Sequence, residues 1–86
     1  MSDVSNGAVQ ILVIEDEDDI RNVVVTNLKR AGFDVMSAGN GSDGLSLLRA
    51  HRPPVLLLDL MLPDMSGEEI CATLRKDPDT KGTYVI

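Results

Sequence analysis

Short runs of aliphatic residues alternate with longer amphipathic segments along most of the chain. Residues 11–14 (Ile-Leu-Val-Ile) and 55–58 (Val-Leu-Leu-Leu) are apolar throughout, which is typical of strands buried on both faces of a parallel sheet. Residues 33–38 alternate apolar and polar positions, which favours a half-exposed strand at a sheet edge. Residues 83–86 begin a fourth strand.

Three segments between these strands have helical spacing. In residues 20–31 the apolar positions recur every three or four residues, with acids before them and basic residues at their end, as the helix dipole favours. The second helix follows a turn at residues 39–42, where Asn40 or Ser42 would provide the cap. The third begins at residues 66–69 (Ser-Gly-Glu-Glu), which have the spacing of a capping box.

The order of these elements predicts the fold class. Strands and helices alternate with short connections, which imposes right-handed crossovers. We therefore expect an α/β domain with a doubly wound parallel sheet and helices on both faces. Residues 1–9 are mostly small and polar, and we expect them to be a disordered lead-in to a domain over residues 10–86.

Composition excludes several kinds of partner. The 86 residues include 8 basic and 14 acidic side chains, for a net charge of −6, which disfavours direct binding to nucleic acid or to an anionic membrane. No apolar run approaches the ~20 residues needed to cross a bilayer. The single cysteine, Cys71, cannot form an internal disulfide, which fits a reducing compartment. We expect a cytoplasmic protein.

Acidic residues directly follow two of the apolar strands. Glu15 and Asp16 come after the first, and Asp59 comes after the third. If these strands are neighbours, the three acids meet at the carboxyl edge of the sheet, where ligands bind in open parallel sheets. Carboxylates at such short distances raise one another's pKa unless a cation neutralises them. Oxygen ligands with room for water suit Mg²⁺, so the pattern predicts a magnesium site that would accept a phosphoryl group.

Other polar residues have simpler interpretations. Asp18 and Asp19 are assigned to favourable charge at a helix start. His51 is interpreted as a solvated residue at a helix end, and Cys71 as part of the core.

Two segments closely resemble the receiver domain of bacterial two-component response regulators. They are residues 13–17 (Val-Ile-Glu-Asp-Glu) and residues 57–67 (Leu-Leu-Asp-Leu-Met-Leu-Pro-Asp-Met-Ser-Gly). The resemblance extends from about Gln10 to the last residue, and it is strongest to regulators of the winged-helix transcription class, whose first pocket acid is often glutamate. It implies the CheY-like, flavodoxin-like fold, with strand order 2-1-3-4 over the part of the domain present here.

The resemblance also implies a role for each matching residue. Asp59 would be the phosphoacceptor. Glu15 and Asp16 would hold Mg²⁺ together with Asp59, and the main-chain carbonyl of Met61 would complete the metal site. A sensor histidine kinase would be the partner, presenting a phosphohistidine from which the phosphoryl group moves to the aspartate.

The chain also departs from the family pattern. Receivers continue through a fourth helix, a fifth strand and a fifth helix, so we expect a partial receiver that stops within strand four. The hydroxyl residue that ends strand four and the lysine that ends strand five have no counterpart, since Lys29, Lys76 and Lys81 fall in helix ends or loops. Exposed strand surface should then cause self-association, by strand-four pairing or exchange of elements between chains.

Three functions remain open at this point. The first is a phospho-accepting signalling receiver that catalyses its own phosphorylation. The second is a receiver-derived module that binds partners, or itself, without phosphotransfer. The third is a small hydrolase with an aspartate nucleophile, although dehalogenase-type phosphatases need a second aspartate two positions later, where this chain has Met61.

Overall fold

The fold is an alternation of four strands and three helices, seen in a computed structural model that describes residues 8–86. Of the lead-in expected over residues 1–9, residues 1–7 lie outside the described part. The elements, in chain order, are β1 (Gln10–Ile14), α1 (Asp18–Arg30), β2 (Asp34–Ala38), α2 (Gly41–His51), β3 (Val55–Leu58), α3 (Gly67–Lys76) and β4 (Tyr84–Val85).

The strands form one parallel sheet in the order β2-β1-β3-β4, which confirms the expected fold class and strand order. In the register of this sheet, Ile14 at the end of β1 pairs with Ala38 of β2 and with Leu58 of β3. Three strands therefore end at one level. Whatever residues follow β1 and β3 must emerge side by side, and this register is what creates the candidate site.

The core lies on one face of the sheet, between β1, β3 and helices α2 and α3. Its fully buried members come from every one of these elements: Leu12, Ile14, Leu48, Leu56, Ile70 and Leu74. Each such side chain contributes about 1.5–3 kcal/mol by leaving water. Because β1 and β3 contribute residues to this cluster, their carboxyl ends are held by the buried core of the domain.

Helix α1 covers the opposite face incompletely. It packs against β1 and β2, and none of its residues is buried. Val23 is 60% exposed and Ile20 is 46% exposed, although their helical spacing correctly indicates a helix. One helix over this face leaves the side chains of β3 and β4 that point the same way only partly covered, and Ile86 beyond β4 is 65% exposed.

The helix starts agree with the predicted capping signals. Asn40, rather than Ser42, caps α2 by accepting a 2.8 Å hydrogen bond from the Asp43 amide. Ser66 and Glu69 form the expected capping box, with distances of 3.1 and 2.9 Å. Strand β4 is shorter than the predicted residues 83–86. Within residues 8–86, no helix combines the length and apolar character of a membrane span.

Candidate functional site

Three carboxylates from two strand ends lie together at the carboxyl edge of the sheet. Glu15 and Asp16 follow β1, Asp59 follows β3, and one oxygen of each lies within 4.8 Å of the others. The sheet itself holds their backbone, since the Glu15 amide donates to Ala38 O at 3.1 Å and the Asp59 amide donates to Ile14 O at 3.0 Å. Glu15 and Asp59 are partly buried and Asp16 is exposed, so the cluster opens to solvent.

Residues 59–67, here called the acceptor loop, fold back tightly beside Asp59. The Met61 amide donates to Asp59 Oδ1 at 3.0 Å, Met61 forms an antiparallel bridge with Ser66, and the Gly67 amide donates to Leu60 O at 2.9 Å. A Cβ on Gly67 would lie 2.8 Å from Leu60 Cα, so a side chain there would force the backbone apart. The loop thus places the main chain of Met61 against Asp59, while Met61 as a whole is 80% exposed.

The cluster is electrostatically unbalanced. Loss of hydration raises the pKa of the Glu15 carboxyl; a hydrogen bond from the Glu17 amide lowers it, and the neighbouring Asp59 carboxylate raises it further. Within residues 8–86, no lysine or arginine forms an ion pair with any of the three carboxylates. The cluster offers several oxygen ligands, carries excess negative charge and is open to solvent on one side. These properties suit a hydrated divalent cation such as Mg²⁺.

Comparison with known proteins identifies the family. A family model described as the response regulator receiver domain matches residues 11–86. The chain belongs to this family. It is 46% identical over 66 residues to the transcriptional regulatory protein AfsQ1 of Streptomyces coelicolor, an alignment that covers 77% of this chain and 29% of the relative. It is also 39% identical over 67 residues to the alkaline phosphatase synthesis transcriptional regulatory protein PhoP of Bacillus subtilis, covering 78% and 28% of the two chains.

Solved receiver domains share the fold. The N-terminal domain of a response regulator receiver protein from Methanoculleus marisnigri JR1 superposes with a TM-score of 0.84 at 37% identity, over 88% of this chain and 62% of that one. The chemotaxis response regulator CheY4 of Vibrio cholerae gives a TM-score of 0.87 at 28% identity, over 91% and 65%. The receiver sequence described here therefore spans under a third of these curated relatives and about two thirds of these solved chains.

Arg21 is a residue of the receiver site that the sequence interpretation did not single out. Its Nη1 donates to the main-chain oxygen of Glu15 at 2.8 Å, and its Nη2 pairs with the Asp18 carboxylate. A Cβ on Gly39 would lie 3.1 Å from Nη1, so Gly39 leaves room for the guanidinium. Arg21 thereby fixes the turn that carries Glu15 and Asp16. The sequence offered one signal for this role: an arginine in the first turn of a helix that begins just after a buried strand.

Asp64 is the second residue that the sequence interpretation passed over. In the sequence it is one residue of the motif over residues 57–67, yet its carboxylate reaches the first turn of α2 and accepts hydrogen bonds from two backbone amides there, those of Gly41 and Ser42. These bonds lower the pKa of the Asp64 carboxyl. Sequence spacing gave no signal for this contact, since 22 and 23 residues separate the partners.

Replacement of Glu15 by glutamine should stabilise the metal-free domain at pH 7. Because the pKa of Glu15 is raised on folding, its ionised form opposes folding above the folded pKa. That cost disappears as the pH falls below the ordinary value of 4.5. Urea unfolding of both proteins at pH 7 and at lower pH, without divalent cations, measures the difference.

The matched control is Glu68→Gln, which removes an exposed acid from the first turn of α3. There the charge interacts favourably with the helix dipole, so the control should be slightly less stable at pH 7. A Glu15→Gln protein that is also less stable than the wild type at pH 7 would contradict the prediction.

Proposed function

We propose that this receiver domain takes a phosphoryl group from a sensor histidine kinase onto Asp59. Magnesium would be held by Glu15, Asp16, Asp59 and the main-chain carbonyl of Met61. The observation that carries the proposal is the convergence of three carboxylates from two strands within 4.8 Å, in a chain that belongs to the response regulator receiver family. The net charge of −6 supports a protein partner rather than nucleic acid or membrane, and we propose a cytoplasmic location.

The geometry suits Asp59 to act as a nucleophile. Its backbone is tied to β1, and the Met61 amide holds its Oδ1, so we assign the attack to Oδ2. As the Oδ2–phosphorus bond forms, the phosphorus–nitrogen bond of the phosphohistidine breaks and its electron pair returns to the imidazole. A bound magnesium ion would offset the negative charge on the transferring oxygens. The surrounding carboxylates would otherwise repel the phosphoryl group.

A small-molecule phosphodonor tests this function without the kinase. The chain is incubated with the donor and Mg²⁺, or with the donor and a chelator, and its intact mass is measured. The expected result is the gain of one phosphoryl group per chain with magnesium and none with the chelator. No gain in either condition would remove phosphotransfer and favour a module that acts by binding alone.

We propose in addition that the chain associates with a second copy of itself. The face of the sheet that α1 leaves open presents Tyr84, 68% exposed, and Ile86, 65% exposed. Ile86 borders a groove whose apolar lining includes Val13, Val24 and Leu57, and which also reaches Glu15 and Asp59. Beside this groove, β4 is the edge strand of the sheet, so both apolar surface and strand-edge backbone are available for pairing.

Sedimentation velocity over a range of concentrations should show a mass that rises above that of a monomer. Replacement of Ile86 by lysine should shift the protein towards monomer, because a charge would enter the apolar contact. The control is Leu60→Lys, since Leu60 is 63% exposed but lies in the acceptor loop. A wild-type protein that stays monomeric at micromolar concentrations would overturn the proposal.

A further inference from the structure

The carboxylate of Asp64 bonds to a helix that is distant in sequence. Oδ1 accepts from the Gly41 amide at 2.8 Å and Oδ2 accepts from the Ser42 amide at 2.9 Å. Both amides belong to the first turn of α2. A helix normally leaves its first four amides without intrahelical partners, and here a residue of the acceptor loop satisfies two of them.

Helix α2 already has a cap of its own. Asn40 accepts from the Asp43 amide through its side chain and from the Gly44 amide through its main chain. The contribution of Asp64 is therefore additional to ordinary capping. Its distinctive effect is to connect two elements, the acceptor loop and α2.

Close packing reinforces this connection. Gly41 is buried, and a Cβ at that position would lie 2.3 Å from Met65 Cγ and 3.1 Å from Asp64 Oδ1. The tip of the acceptor loop is thus pressed directly onto the backbone of α2. Met65 also packs against the core cluster, so the loop tip is attached through both polar and apolar contacts.

The tip of the acceptor loop, residues 64 and 65, lies at the opposite end of the loop from Asp59. The chain turns through Asp64 and Met65 between the two residues of the isolated Met61–Ser66 bridge. Met61, one of the two bridge residues, donates a hydrogen bond from its amide to the Asp59 carboxylate. A shift of the tip would be transmitted through the bridge to Met61 and from there to Asp59.

We infer that Asp64 is a positioning residue, which fastens the acceptor loop to the start of α2 and so holds Asp59 and the main chain of Met61 in place. The inference rests on the proposed function in so far as it concerns magnesium and phosphotransfer. The hydrogen bonds lower the pKa of the Asp64 carboxyl, so the anchor stays charged at neutral pH. Helix α2 becomes part of the support of the site.

The test compares Asp64→Ala with Asp43→Ala in the full chain. Asp43 is a matched control because it is an acid within the first turn of α2, and its side chain bonds to Asn40 rather than to the acceptor loop. Two quantities are measured by NMR: hydrogen exchange of the Met61 and Gly67 amides without metal, and magnesium affinity from the shifts of residues around Glu15 and Asp59.

We expect Asp64→Ala to speed exchange of both loop amides and to weaken magnesium binding by roughly tenfold, the scale typical of lost outer support at a metal site. Asp43→Ala should leave the loop exchange and the magnesium affinity unchanged while lowering the helix stability. Asp64→Asn, which can still accept from one of the two amides, should give an intermediate loss, and it carries the test if the alanine variant does not fold.

The two possible failures are distinguishable. If Asp64→Ala and Asp43→Ala have the same loop exchange, the positioning role is wrong, whatever the magnesium result. If the wild-type chain binds no magnesium, the proposed function fails, and the metal-free exchange of Met61 and Gly67 still decides whether Asp64 anchors the loop.

Discussion

Replacement of Asp59 by asparagine is expected to lower magnesium-dependent phosphoryl uptake by at least about 10³-fold, the scale seen when a nucleophile is removed. An asparagine side chain keeps the size of the aspartate and can still accept the hydrogen bond that the Met61 amide gives to Oδ1. It has no carboxylate oxygen to attack phosphorus. The measurement is the rate of phosphoryl gain by intact mass with a small phosphodonor and Mg²⁺.

The control for this substitution is Asp19→Asn, which makes the same chemical change at an exposed residue in the first turn of α1. It should be phosphorylated at the wild-type rate. If Asp59→Asn gains a phosphoryl group as fast as the control, the nucleophile lies elsewhere and the proposed role of Asp59 is wrong.

The same variant has a second expected consequence that does not depend on phosphotransfer. The Asp59 carboxylate raises the pKa of Glu15, so removal of its charge should lower that pKa towards the ordinary value. An NMR titration of the Glu15 side chain in the wild type and in Asp59→Asn measures the shift. A lower pKa in the variant would show that Glu15 and Asp59 lie close together, even if Asp59 is not phosphorylated.

Replacement of Leu56 by alanine should cost about 2–5 kcal/mol of unfolding free energy, because a fully buried leucine leaves a cavity that the surroundings fill only in part. Leu56 is 0% exposed. It lies in the middle of β3, between Leu12 of β1 and Val85 of β4. Against a typical total of about 5–15 kcal/mol, this loss is large, and urea unfolding at equilibrium measures it.

Leu60→Ala is the control for the core substitution. Leu60 is 63% exposed, so its truncation should change the unfolding free energy by no more than about 0.5 kcal/mol. Similar losses for both variants would mean that the burial pattern described here is wrong. The Leu56→Ala protein should also lose magnesium binding at urea concentrations that the wild type tolerates, since β3 carries Asp59 to the site.

The local elements follow closely from the pattern of residue types. Four-residue aliphatic runs mark β1 and β3 because the inner strands of a parallel sheet leave little room for polar side chains, although Leu56 is the one residue of β3 that is buried. Capping signals locate the starts of α2 and α3 because unpaired amides at a helix start need a nearby acceptor. The pattern is less informative where burial depends on distant partners. Val23 has the spacing of a packed position in α1, yet it is 60% exposed.

The candidate site was predictable to the extent that its residues follow strands directly. Glu15, Asp16 and Asp59 could be selected from the sequence as acids at strand ends, and resemblance to a known family attached a role to each. Arg21 and Asp64 were not selected. Their partners are backbone groups, an oxygen at Glu15 and the amides at the start of α2, and residue types alone do not indicate where backbone groups will meet.

The chain's own residue pattern determined the class of fold, the places where strands and helices begin, and which acids end the buried strands, because these depend on neighbours within a few residues. Only the tertiary structure decided that β1 and β3 pair in the register that sets Glu15 beside Asp59. It also decided that the acceptor loop is fastened to α2 through Asp64. Those features depend on contacts between segments that are distant in the sequence, and such contacts form only when the whole domain packs.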